Sequence, residues 1–309
     1  MDTIAVILTE PENLLLQRVD LLPPGEEDVV VDVEWSGIST GTEKLLYTGR
    51  MPMFPGMGYP LVPGYESVGR VVVAGPASGQ QVGTRVFIPG SRGFKDVRGL
   101  FGGAAGRLVS AGKRVVPVDE ALGERAVLLA LAATAYHAVL DHTPELIIGH
   151  GVLGRLLARI TIAMGAPAPV VWESSPARAT DAQGYQVLTA ETDTRRDYTR
   201  ICDASGDANI LDTLIARLRA GGEITLAGFY DRLSFAFAPA FMREAKIRIA
   251  AEWHPADMIA LNALIASGKL SLDGLITHRE SAESAPDAYR TAFGDAACLK
   301  MILDWRKFT

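Results

Sequence analysis

Ile147-Ile148-Gly149-His150-Gly151-Val152-Leu153-Gly154 is the stretch on which the reading of this 309-residue chain turns. It matches GxGxxG, a weak pattern by itself in a chain with 31 glycines. Its surroundings make it informative. An apolar strand at 145–148 leads in and a helical stretch at 155–164 leads out. A second apolar strand, 170–172, ends at Glu173, at the roughly 20-residue spacing of a dinucleotide-binding unit. Gly149 permits the tight turn, Gly151 lets the backbone approach a pyrophosphate, and Gly154 allows helix and strand to pack closely. His150, Val152 and Leu153 lie between them, and at His150 the backbone counts for more than the ring. The helix that follows offers unpaired amides and a positive dipole end to phosphate. Glu173 would accept hydrogen bonds from the adenosine ribose and repel a 2′-phosphate, which points to NAD rather than NADP. Arg178 would pack on the adenine or restore some NADP binding. The alternative is an ordinary strand–turn–helix.

The alternation continues beyond this stretch. Strands are expected at 201–204, 223–227 and 248–251, with helices at 125–140 and 211–218. Such alternation gives right-handed βαβ units and a mostly parallel sheet. Two strand ends, Asp203-Ala204-Ser205 and Gly228-Phe229-Tyr230, fall where the nicotinamide half of a cofactor would lie, unless they are plain loops. The N-terminal third is different. Short β-branched runs at 29–33, 68–74, 85–88 and within 108–118 are separated by Pro23-Pro24-Gly25, Pro63-Gly64, Pro89-Gly90 and Gly102-Gly103. That punctuation suggests a barrel-like β domain. After Pro255, helices at 257–267 and 286–293 precede a returning strand at 301–303. The expected division is a β-rich catalytic part at 1–122, a nucleotide-binding domain at 123–255 and a return to the catalytic domain at 256–309.

Composition excludes several classes. Hydrophobic residues make up 48% and charged residues 21%, the profile of a globular enzyme. The formal net charge of -6 and the lack of dense Lys/Arg runs argue against a nucleic-acid partner. Cys202 and Cys298 cannot build a disulfide framework or a CxxC zinc site. The first residues lack a basic n-region, and no apolar run reaches the roughly 18 residues of a spanning helix. A cytoplasmic protein without an integral membrane segment is expected.

The order of parts and several landmarks resemble the medium-chain alcohol dehydrogenases. The landmarks are Val33-Glu34-Trp35-Ser36-Gly37-Ile38, Pro63-Gly64-Tyr65-Glu66-Ser67-Val68-Gly69, Thr134-Ala135-Tyr136-His137-Ala138 and the glycine loop. The resemblance implies an α/β fold: a Rossmann doubly wound parallel sheet plus a β-rich GroES-like catalytic domain. It also places Thr134 under the nicotinamide, although a threonine packing its helix fits equally well; His137 reads as structural. Ser36-Gly37-Ile38-Ser39-Thr40-Gly41-Thr42-Glu43-Lys44 and the stretch from Arg50 to Glu66 are more specific. They resemble the hydroxyethyl bacteriochlorophyllide dehydrogenases of bacteriochlorophyll biosynthesis. That likeness implies oxidation of a hydroxyethyl side chain on the macrocycle to acetyl, with NAD as hydride acceptor.

Zinc-dependent relatives take a Cys after the Gly-Ile pair and a His from a Gly-His-Glu triplet; this chain has Ser39 and Tyr65 there and keeps only Glu66. The third ligand position falls in the apolar stretch 129–133, and the four-cysteine structural lobe is absent. No metal is therefore expected, since catalytic zinc needs three protein ligands of the His, Cys or carboxylate type. By the same resemblance, Ser39 and Tyr65 would face each other beside the nicotinamide. Tyr65 would hydrogen-bond the substrate oxygen, and Ser39 or Thr40 would relay the proton. Tyr65 starts near a pKa of about 10, so it would need a lowered pKa or would only orient the alcohol. A packed phenol with a satisfied hydroxyl is the plainer reading. Glu66 would act as base or as a neighbour that supports the site.

Residues 51–59 set three methionines, Phe54 and Tyr59 among Pro and Gly. Met51, Phe54, Met57 and Tyr59 would suit a large flat apolar tetrapyrrole, unless the loop simply packs over the barrel. Lys44 and Arg50 are candidates for its propionate, with Arg92, Lys95 and Arg98 as others. Two alternatives remain: a zinc-free NAD(P)H-dependent enone or quinone reductase, and an NAD-binding sensor. The edge strand at 248–251 would pair with its mate in a homodimer.

Overall fold

Strand Leu146–Ile148, all three residues buried, lies inside a six-stranded sheet. The order is Gln186–Leu188, Val170–Trp172, Leu146–Ile148, Tyr198–Asp203, Leu218–Leu226 and Lys246–Ile249, parallel throughout. Counted along the chain this is 3-2-1-4-5-6, the doubly wound order, and it reverses beside Leu146–Ile148. The inner strands read as nearly unbroken Leu, Ile and Val because both faces of a parallel sheet are covered. The glycine loop leaves the carboxyl end of Leu146–Ile148 and enters the helix Val152–Ala163. Gly149 has φ +92°, a conformation in which a side chain would be strained.

This computed structural model describes residues 1–53, 55–230 and 232–309. The chain divides into one unit of Met1–Ala130 with Asp273–Thr309, and another of Leu131–Leu272. These divisions fall beyond the expected positions at 122/123 and 255/256. The helix expected at 257–267 runs Pro255–Ala266 and starts on Pro255 itself, where a missing amide does no harm; His254 and Asp257 close a reciprocal capping box.

In the first unit the long strand Asp28–Ile38 is the organising element. It pairs antiparallel with Ser67–Ala74, Arg107–Ala111 and the returning strand Met301–Asp304. Trp305 follows that return. It is fully buried, and its indole donates to Ser36 Oγ at 2.8 Å.

Several elements differ from the sequence reading. The helical stretch 125–140 divides into 3-10 turns, Glu120–Leu128, and the α-helix Leu129–Val139, with Gly123 at φ +52° breaking the former. The last strand is Lys246–Ile249 rather than 248–251; it alternates charged and apolar residues because it forms the sheet edge. The hairpin Asp2–Glu10 with Asn13–Asp20, the strand Gln186–Leu188 and the short helix Thr42–Tyr47 carry no strong period and were not foreseen. Among the described residues no helix is long and apolar enough to cross a membrane.

A Cβ on Gly154 would lie 1.7 Å from the carbonyl oxygen of Gly149. Helix and loop would have to separate to admit it. Gly154→Ala is therefore expected to destabilise the protein by about 1–3 kcal/mol, measured by urea unfolding; unchanged stability would show that the loop yields freely.

Candidate functional site

At the nucleotide end, the loop geometry follows from a few bonds. The Gly149 amide donates to Trp172 O at 2.8 Å, the His150 amide to Glu173 Oε2 at 2.9 Å, and the Ser175 amide to Glu173 Oε1 at 2.7 Å. Both oxygens of Glu173 are thus oriented, and each keeps a lone pair for a further donor. Gly151 is the N-cap of Val152–Ala163 and provides no side-chain cap; a Cβ there would meet nothing within 4 Å. The first-turn amides therefore face space that an anion can enter.

The His150 ring is not a bystander. It is buried, with Nδ1 2.6 Å from Arg178 O and Nε2 2.8 Å from the Tyr185 hydroxyl. The expectation was that the backbone counts for more than the ring; in the structure both are engaged.

The later strand ends are tied to each other. Buried Asp203 accepts from the Ser205 amide at 2.9 Å and from the Tyr230 hydroxyl at 2.7 Å. The Ala204 amide donates to Ile148 O, and the Gly228 amide to Asp203 O. Burial raises the Asp203 carboxyl above its ordinary range, and burial with the adjacent Asp203 pushes the Tyr230 phenol well up. Phe229 is exposed. Thr134 is half-buried on Leu129–Val139, and His137 lies 3.0 Å from Asp257, a packing partner on Pro255–Ala266.

In the first unit, Ser39 follows the strand Asp28–Ile38 and its hydroxyl lies 2.5 Å from that of Tyr65. Burial, helped by the charge of Glu66, pushes Tyr65 well above the usual phenol range, so it keeps its proton. Burial thus works against the lowered pKa considered from the sequence and favours the protonated phenol.

Two residues that the sequence reading did not single out, Glu43 and Lys300, support the elements that carry this pair. Glu43, fully buried on Thr42–Tyr47, accepts from the Ser39 amide at 2.9 Å and from the Tyr289 hydroxyl at 2.7 Å. Burial pushes it up to about 7. Lys300, 1% exposed, donates to Glu66 Oε2 at 2.6 Å and to Ile38 O at 3.1 Å. Glu66 is itself fully buried, which raises its carboxyl while Lys300 pulls it back; its Oε1 has no hydrogen-bond partner among the described residues. Thr40 is half-buried next to Ser39. A lone lysine in the apolar run Cys298-Leu299-Lys300-Met301 was the available signal for this pair.

Comparison with known proteins decides the family. The alcohol dehydrogenase GroES-like domain matches residues 25–120. The chain is 58% identical to the 2-desacetyl-2-hydroxyethyl bacteriochlorophyllide A dehydrogenases of Cereibacter sphaeroides and Rhodobacter capsulatus, over 99% of each chain. The protein belongs to this branch of the medium-chain dehydrogenases. In fold it is similar to an alcohol dehydrogenase of Escherichia coli CFT073 solved with NADH, at TM-score 0.83 and 20% identity, covering 98% of this chain and 99% of that one. It is similar also to 2R,3R-butanediol dehydrogenase of Bacillus subtilis, at TM-score 0.84 and 17% identity with the same coverage.

At the positions considered for zinc from the sequence, the side chains are engaged in hydrogen bonds. Ser39 and Tyr65 are bonded to each other, and Glu66 is bonded to an ammonium group. A protonated phenol, an aliphatic hydroxyl and a carboxylate paired with lysine do not make a zinc donor set.

The loop proposed for substrate is partly core. Met51 is buried with Leu8, Leu46, Leu61 and Leu100, and Met57 and Tyr59 pack against that cluster. The Tyr59 hydroxyl donates to Leu46 O at 2.5 Å. For these three residues the packing alternative describes the structure; Phe54 lies outside the described residues. Lys44 donates to Phe293 O at 2.9 Å, and exposed Arg50 contacts Thr48 at 3.4 Å.

Replacing Lys300 by Met strands a buried carboxylate. It is expected to cost about 3–5 kcal/mol, while Lys300→Met with Glu66→Leu recovers much of that loss; equal losses in single and double variants by urea titration would contradict it. Glu43 gives a pH signature. Its folded pKa of about 7 exceeds the ordinary 4.5, so its contribution to stability is full below 4.5 and declines as pH rises through 7. Between those limits Glu43→Gln is expected to gain stability relative to wild type as pH rises; a constant difference would remove the argument.

Proposed function

We propose that the protein oxidises the hydroxyethyl side chain of a bacteriochlorophyllide to acetyl, with NAD as cofactor and without zinc. The 58% identity to dehydrogenases of that name over 99% of the chain carries the substrate assignment. The observation that carries the mechanism is the Ser39–Tyr65 hydroxyl pair.

Oxidation of a secondary alcohol removes a hydride from the carbinol carbon and a proton from its oxygen, leaving the C=O bond. Bound NAD supplies the hydride acceptor. The residues of this chain bind, orient and move the proton. Tyr65, kept neutral, donates to or accepts from the alcohol oxygen and fixes its direction. As the alcohol proton passes to the Tyr65 oxygen, the phenol proton passes to Ser39, and Thr40 beside it hands a proton on to solvent water, so each hydroxyl ends neutral and the released proton leaves the site. Glu43 holds the Ser39 backbone, and Glu66 with Lys300 holds the backbone on which Tyr65 stands. Negative charge that develops on the alcohol oxygen is stabilised by these fixed hydroxyl dipoles in place of a metal.

For the cofactor, Gly149, Gly151 and Gly154 with the amides of Val152 and Leu153 would receive the pyrophosphate. Glu173 would receive the ribose hydroxyls, and its charge disfavours a 2′-phosphate. Arg178 would lie by the adenine, and the Asp203–Ser205 and Gly228–Tyr230 turns would border the nicotinamide half with Thr134. Lys44 and Arg50 would offer positive charge to the propionate. A homodimer through the edge strand Lys246–Ile249 is supported by exposed Ile249, Phe237, Phe241 and Met242.

The test uses purified protein, NAD and hydroxyethyl bacteriochlorophyllide, with NADH formation and the pigment absorption followed together. Turnover is expected to survive metal chelation, to fall by roughly 10²-fold in kcat in Tyr65→Phe, and to fail with NADP. Activity that requires added zinc, or a Tyr65→Phe variant with unaltered kcat, would contradict the reading.

A further inference from the structure

The second residue of the glycine loop is bonded on three sides. Its amide orients Glu173, its Nδ1 meets Arg178 O, and its Nε2 meets Tyr185. A carbonyl can only accept, so Nδ1 carries the proton, and in the neutral ring Nε2 accepts from the Tyr185 hydroxyl. Burial, with Arg155 nearby, holds the imidazole below its usual range and favours that neutral tautomer.

The same loop is gripped a second time. Arg155, 4% exposed, donates to His150 O at 3.2 Å, Arg178 O at 3.2 Å, Thr180 O at 2.9 Å and Asp181 O at 3.3 Å. Apart from the single turn Pro176–Arg178, residues 173–185 form no helix or strand. The Glu173 amide still donates to Leu188 O at 3.0 Å at the end of the ladder, but beyond it the segment has no ladder, and these side-chain bonds tie it to the glycine loop. Arg155 contacts four carbonyls at lengths near or beyond 3 Å, whereas the His150 ring makes the shortest bond to this segment.

We propose that His150 is the positioning residue for cofactor selection: through its amide and its ring it holds Glu173 and the Arg178 backbone in one fixed arrangement at the adenosine end of the cofactor. The inference rests on the reading that this loop binds NAD. The discriminating charges, one acidic and one basic, belong to Glu173 and Arg178, and discrimination between a ribose hydroxyl and a phosphate requires that neither moves. A glycine loop with an ordinary aliphatic residue at this position would have the same pyrophosphate contacts but no tie to Arg178.

The experiment is calorimetric binding of NAD and of NADP to wild type, His150→Phe, His150→Asn and Tyr185→Phe, with steady-state kinetics on each. In His150→Phe the NAD Kd and KM are expected to rise about tenfold, the NAD-over-NADP preference to shrink by a similar factor, and kcat at saturating NAD to stay within about twofold. Asn offers an amide donor in the place of Nδ1 and is expected to restore most of the preference. Tyr185→Phe deletes one hydroxyl and carries the test if His150→Phe does not fold; it is expected to weaken NAD about threefold. Wild-type protein that fails to bind NAD would overturn the cofactor reading itself. A wild type that prefers NAD, with Tyr185→Phe and any folded His150 variant unchanged in Kd and preference, would overturn only the role of His150. A fall in kcat with unchanged binding would overturn it as well.

Discussion

The ion pair of Lys300 and Glu66 joins the beginning and the end of the chain inside one β-rich unit. Lys300 directly precedes the strand Met301–Asp304, which pairs with Asp28–Ile38, and the ammonium also donates to Ile38 O. Two charges so deeply buried are tolerable only together, because either one alone would face an uncompensated desolvation penalty. The pair therefore constrains geometry as much as it stabilises. It fixes the turn that carries Tyr65 and the strand end that carries Ser39, and their hydroxyls meet as a consequence.

Around that pair the chemistry is set by exclusion of water. Glu43 and Glu66 are both fully buried, yet they differ: Glu66 has a cation and Glu43 has only an amide and a phenol. Desolvation accordingly leaves Glu43 near neutrality in its titration and keeps Tyr65 protonated. The result is a pair of oriented hydroxyls, those of Ser39 and Tyr65, whose directions are set by backbone and carboxylate contacts.

The parallel sheet follows a different logic. Its strands need no side-chain pairing to choose their order, since connection handedness and burial on both faces leave few arrangements. Specific bonds appear at the carboxyl ends of the strands, where Glu173, Asp203 and His150 orient loops that have no ladder of their own. The buried Asp203–Tyr230 bond and the His150–Arg178 bond are the same device used twice: a polar side chain satisfied by the next strand's loop.

Much of this was legible in the sequence because it depends on local pattern. GxGxxG between an apolar strand and a helix, an acidic residue at the end of the next strand, and the change from turn-punctuated strands to βαβ spacing all act over short stretches of chain. The substitution of Ser39 and Tyr65 at ligand positions was equally a matter of residue identity. Other features were not local. The Glu43–Tyr289 and Glu66–Lys300 contacts join residues far apart in sequence, and no period marks them. The role of the His150 ring and the packing of Met51 beneath its loop were likewise decided by which surfaces came together. Sequence alone determined the strongly patterned elements, the family and the kinds of side chain at the site. Tertiary structure decided which of those side chains share a hydrogen bond, because desolvation and partner choice exist only once the chain has closed around them.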